Sequence, residues 1–110
     1  MIARIWKGYC SAETAESYEA LLKSTILPGI HRVSGYCGAL LFKRQDQRGG
    51  TEFTTMTLFV DLEAVRRFAG DDYETAVVPA AARKLLARFD DRSEHREVVF
   101  SDLQLPGRDS

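Results

Sequence analysis

The sequence predicts an α+β domain, and three observations carry that prediction. Segments rich in branched and aromatic residues alternate with segments whose apolar residues recur at helical spacing. Glycine, proline and polar clusters punctuate them, and the resulting order is strand, helix, strand, strand, helical segment, strand. That order is the split βαβ pattern of a ferredoxin-like fold, whose right-handed crossovers place both helical segments on one face of a four-stranded antiparallel sheet.

The first strand is Ile2 to Cys10, where Arg4 and Lys7 interrupt a run of branched and aromatic residues. Alternation puts Trp6 on one face with Ile2 and Cys10, and Ile5 and Tyr9 on the other. A helix of roughly four turns follows, with Ser11 as its cap, Glu13 and Glu16 in its first turn, and Ala15, Tyr18, Leu22 and Ile26 on its apolar face. Pro28 and Gly29 are expected to end it, with His31 in the connection.

Gly35 to Lys43 reads as the second strand, with Gly38 at a bulge, and the polar run to Gly50 as a hairpin connection. Thr51 to Val60 is the third strand, with Phe53, Thr55, Thr57 and Phe59 on one face and Thr54, Met56 and Leu58 on the other. Asp61 caps a second helix whose stripe is Leu62, Val65, Phe68 and Ala69, and Gly70 terminates it. Pro79 then starts a further helical segment with Ala82, Leu85, Leu86 and Phe89 on one face, and Ser93 to Phe100 is the fourth strand. Residues 1–100 therefore make up the domain, and residues 101–110 a flexible tail that frays beyond about Leu105.

Composition excludes several function classes. A chain of 110 residues with 45% hydrophobic and 28% charged residues has room for one core and is not disordered as a whole. A net charge of −1 with interspersed signs argues against a nucleic-acid or anionic-membrane partner. No apolar run reaches the ~20 residues of a membrane span, so the expected compartment is the cytoplasm. Cys10 and Cys37 lie in predicted strands outside any C-x-x-C pair and read as buried reduced thiols. With His31 and His95 isolated, no zinc-ligand spacing exists. Asp71, Asp72 and Glu74 read as solvated carboxylates, and the basic residues of the helical segments as solvated faces. Both faces of every strand carry apolar residues, which requires a cover for the side without helices, and a second copy of the chain is the simplest cover.

The opening MIARIW, the LPGI and SGYCGA that lead into the second strand, and the TLF, DLEAVRRFAG and DYE segments resemble the antibiotic biosynthesis monooxygenase family of the dimeric α/β-barrel superfamily. The resemblance covers residues 1–100 and lies in the order of segments. It implies a homodimer, a ligand cavity within each subunit between helices and sheet, and, as in several members, oxygen chemistry without metal or organic cofactor. One branch oxidises electron-rich aromatic polyketides to quinones, which calls for an aromatic-lined pocket, a proton acceptor and donors for an oxyanion.

On that reading Trp6, Phe59 and Phe68 line the pocket, Arg67 or Tyr73 donates, and His95 accepts a proton. Each has a plainer role as well. Trp6, Phe59 and Phe68 serve equally as core, Tyr73 as a surface residue, and His95, between Glu94 and Arg96, as an ion-paired or interface histidine. A second branch degrades haem with an asparagine on the first strand and a tryptophan and a histidine on and after the second helix. Phe68 stands at the tryptophan position and Val78 near the histidine, and the chain contains no asparagine, so that chemistry is disfavoured. The alternative to an oxygenase is a non-catalytic homodimeric barrel that binds a small ligand.

Overall fold

The structure, a computed structural model, describes residues 1–106. Its elements are β1 (Ile2–Cys10), α1 (Ala15–Leu21), α2 (Leu27–Gly29), β2 (Tyr36–Gln45), β3 (Thr51–Phe59), α3 (Leu62–Ala69), α4 (Ala80–Arg83), β4 (Arg88–Phe89) and β5 (Glu94–Glu97). The antiparallel sheet has the order β2-β3-β1-β4, and β5 also pairs with β1. β4 lies against Gly8 and Tyr9 and β5 against Ile2 through Ile5, so the place of the expected fourth strand is shared by two short ones. This is the ferredoxin-like arrangement with five strands rather than four.

Register fixes which residues face the helices. Ile2, Arg4, Trp6, Gly8 and Cys10 lie opposite Phe59, Thr57, Thr55, Phe53 and Thr51. Along that face run two cores. One joins Cys10 and Phe53 to Tyr18, Leu22 and Ala82, and the other joins Phe59 to Ile30, Ala64 and Val65. The other sheet face carries Ile5, Leu40, Met56 and Leu58, partly accessible, and Phe42, 47% exposed.

Several boundaries differ from the sequence reading. Pro28 and Gly29 do not stop the first helix, because a π-helical turn at Leu22–Ile26, closed by the Leu27 N–H on the Leu22 carbonyl, widens the backbone just before the proline. The helical path continues through a 3₁₀ turn at Ile30–Arg32. Ser11 does not cap α1 with its side chain; its carbonyl accepts from Thr14 and Ala15, and the Thr14 hydroxyl donates to the Leu85 carbonyl at 2.7 Å. Phe89 lies in β4 instead of the last helix, where its ring meets Trp6 at 5.9 Å. Val99 and Phe100 lie beyond β5 and are exposed.

Other expectations hold. The Asp61 carboxylate accepts from the Ala64 N–H at 2.9 Å, capping α3, and Gly70 ends it at φ 91°. A bulge falls between Tyr36 and Gly38, and the hairpin closes through Asp46 and Gly50. Cys10 is buried as expected, but Cys37, expected to be buried too, is exposed, because the bulge turns it outward; both are free thiols. The exposed segment 101–106 has no regular structure, and the rest of the expected frayed tail lies outside the described residues.

Candidate functional site

Between the two cores the sheet and the helices do not close completely. A cavity of about 60 Å³ remains, enough for a few waters. Arg4, Trp6, Thr55 and Thr57 of the sheet form its floor, Tyr18, Leu22, Ile26 and Leu27 one wall, and Phe68, Val77 and Val78 another. Ser93, just before β5, also lines it. The lining is mostly apolar, with hydroxyls on Tyr18, Thr55, Thr57 and Ser93 and one charged residue, Arg4.

Arg4 is the polar centre of the end where it and Ser93 lie, with only 4% of its surface exposed. Its Nη1 donates to the Tyr73 carbonyl and to His95 Nε2 at 3.0 Å, and its Nη2 donates to the Thr75 carbonyl at 3.0 Å. The guanidinium carbon stands 5.5 Å from the centre of the Phe68 ring. Among the described residues no carboxylate lies within ion-pairing distance of it. Burial pulls its pKa down to about 10, so it stays charged at neutral pH at a cost in solvation.

His95 lies directly across from Arg4 in the β1–β5 register. An arginine only donates, so Nε2 accepts and the ring proton sits on Nδ1, which is buried and has no partner among the described residues. Burial first, then the Arg4 charge, lower the His95 pKa, with Glu74 opposing, so the ring is neutral at pH 7. Tyr73 meets the His95 ring edge-on at 5.1 Å, and the Arg66 guanidinium lies 5.4 Å from the centre of the Tyr73 ring.

The segment from Asp71 to Pro79 is held over this end of the cavity by its backbone. Ser93 N–H donates to the Glu74 carbonyl at 2.6 Å, Ala76 N–H to the Asp91 carbonyl at 2.8 Å, and the Thr75 hydroxyl to Asp72 at 2.7 Å. The carboxylates of Glu74 and Asp72 face Arg92 at 2.6 and 3.8 Å. Among the described residues no three His, Cys, Asp or Glu side chains converge as metal ligands.

The residues singled out from sequence divide accordingly. Trp6 and Phe68 line the cavity, and His95 and Tyr73 flank it through Arg4. Phe59 does not line it; fully buried opposite Ile2 and Tyr36, it belongs to the core. Arg67 lies elsewhere, donating to the Ser34 carbonyl at 3.1 Å from the exposed side of α3. Sequence reading missed Arg4 and Ser93. The available signal was register: Arg4 shares the helix-facing side of its strand with Trp6 and Cys10, a face on which a charge must find partners.

No protein-family model matches the chain, and no curated protein matches it in sequence. Solved structures do match in three dimensions. A candidate antibiotic biosynthesis monooxygenase from Bacillus cereus superposes with a TM-score of 0.63 at 13% identity over 96% of this chain and 98% of that one. The fold is that of the antibiotic biosynthesis monooxygenase structures. The ActVA-Orf6 monooxygenase of Streptomyces coelicolor, in complex with nanaomycin D, shares this monooxygenase-type fold at a TM-score of 0.54 and 14% identity, over 96% and 92% of the two chains. SnoaB, a cofactor-independent oxygenase from Streptomyces nogalater, shares it at 0.51 and 16%, over 96% and 98%.

Proposed function

We propose that the protein is a cofactor-independent monooxygenase of a small aromatic or polyphenolic compound, bound in the cavity between sheet and helices. The observation that carries this reading is an aromatic and aliphatic cavity with one buried cation at its end that has no carboxylate partner among the described residues. Trp6, Leu22, Phe68 and Val78 offer apolar and aromatic walls to an electron-rich ring, and Arg4 favours the ionised form of a phenolic oxygen beside it. The ionised ring is the electron donor. A hydroquinone and O₂ give a hydroxyquinone and water: the ring loses four electrons, one oxygen atom enters the ring, and the other leaves as water.

His95 takes part in proton removal only when Nε2 exchanges its Arg4 N–H for the substrate hydroxyl. Tyr73 contributes its carbonyl to Arg4 and its ring to His95, which makes it a positioning residue. Phe68 and Val78, both in the lining, supply no haem ligand. The free thiols Cys10 and Cys37 suit the reducing cytoplasm, the compartment proposed here.

The test is oxygen uptake by the purified protein with a panel of hydroquinones and anthrones. Saturable uptake of one O₂ per substrate is expected, reduced at least about a hundredfold in His95→Ala. Uptake equal to buffer across the panel overturns the reading. The second reading, a ligand-binding barrel without catalysis, is favoured by the narrowness of the cavity and by the engagement of His95 Nε2 with Arg4. Ligand binding without oxygen uptake would select it.

We also propose a homodimer in which the open sheet faces of two copies pack together. Ile5, Leu40, Phe42, Met56 and Leu58 offer a contiguous apolar surface for it.

A further inference from the structure

Three features of the cavity's polar end have no use in the fold itself. Arg4 has five N–H donors, and its contacts to Tyr73, His95 and Thr75 occupy both on Nη1 and one on Nη2. The second Nη2 hydrogen and the Nε hydrogen remain. The Ser93 hydroxyl, on a residue 5% exposed, is buried without any partner among the described residues although it lines the same cavity. Finally, the Arg4 charge is buried with no carboxylate beside it among the described residues, an arrangement that is costly unless something supplies the opposite charge. Donors outnumber acceptors at this end, and the missing partner is an anion with several oxygen lone pairs.

We infer that the natural ligand is an aromatic carboxylate, its carboxylate bound by the two free N–H groups of Arg4 and the hydroxyl of Ser93, its ring lying among Trp6, Leu22, Phe68 and Val78. A carboxylate matches the planar donor pattern of a guanidinium and has lone pairs left for a third donor. At about 60 Å³ the cavity admits a single ring only by widening, and a fused system would need more widening still. This inference rests on the cavity being the ligand site of the proposed oxygenase, and it adds the charge class of the substrate.

Equilibrium titration under anaerobic conditions, with salicylate and its neutral isostere salicylamide, separates binding from chemistry. Wild type is expected to bind salicylate at least about tenfold more tightly than salicylamide, since hydrogen bonds to a charged group are stronger than neutral ones. Arg4→Gln is expected to reduce that preference to about twofold, and Ser93→Ala to weaken salicylate about tenfold. Should Arg4→Gln not fold, the wild-type pair of ligands and Ser93→Ala still decide the matter. Equal binding of acid and amide by wild type, no binding of either, or an unchanged preference in a folded Arg4→Gln overturns the inference and leaves Arg4 as a strut for the Tyr73 and Thr75 carbonyls. Because no turnover is measured, the oxygenase reading can fail while the carboxylate site stands.

Discussion

Arg4 shows what a residue can hide in a sequence. Within Ile2–Cys10 it reads as an interruption of an apolar strand, yet the fold buries it and gives it three protein acceptors, two of them backbone carbonyls some seventy positions away. Such partners are invisible until the strands are in register. His95 was visible as a candidate, but its engagement through Nε2 and its unpartnered Nδ1 were not, because both depend on the residue across the β1–β5 pair.

The same environment has a consequence for stability. Burial and the Arg4 charge hold the folded His95 pKa below its unfolded value, with Glu74 pulling the other way and Tyr73 packed on the ring. The unfolded chain therefore binds more protons, and stability is fully present above the unfolded pKa and lost as pH falls through it toward the folded value. Denaturant midpoints measured from about pH 8 to about pH 5 should decline more steeply in wild type than in His95→Gln. Identical slopes would show that His95 is not held in this way. Tyr73→Phe retains both the carbonyl on Arg4 and the ring on His95, so its oxygen uptake is expected to stay within about threefold of wild type.

Among the elements, those governed by local chemistry were legible. The Asp61 cap and the Gly70 stop of α3 followed from side-chain and backbone preferences alone. Asp61→Ala is expected to cost about 1 kcal/mol, read as a lowered denaturant midpoint with an unchanged slope. Elements set by tertiary contacts were less legible. Phe89 left the helical pattern because Trp6 and the β1 backbone at Gly8 and Tyr9 offered it a place in the sheet. The π turn before Pro28 is likewise a packing solution, keeping Leu22 in the core and Ile26 and Leu27 on the cavity wall past a residue that breaks ordinary helices. Gly50 carries a constraint of the same kind: a Cβ there would lie 2.2 Å from the Cys10 carbonyl oxygen. Gly50→Ala should therefore destabilise by about 1–3 kcal/mol through displacement of the β2–β3 hairpin from the end of β1, and a variant as stable as wild type would contradict that contact.

For the whole molecule, the order of segments was enough to specify the ferredoxin-like topology, since the handedness of crossovers leaves few alternatives. It left open how the fourth strand position would be filled, and it left the cavity's size and polarity unspecified. Those depend on how two cores are spaced along one sheet face. The apolar open face belongs to this scale too. Light scattering at micromolar concentration should give about twice 12.4 kDa, and Phe42→Glu, on the open face, should shift the species toward monomer. A wild-type monomer would remove the need for a covered face.

The proposed chemistry is tested most directly by mass spectrometry of the product formed under ¹⁸O₂. Transfer of a single labelled oxygen atom from O₂ into the hydroxyquinone, dependent on the protein and lost in His95→Ala, is the expected result. A product with no label, or the same labelled yield without protein, would contradict the account.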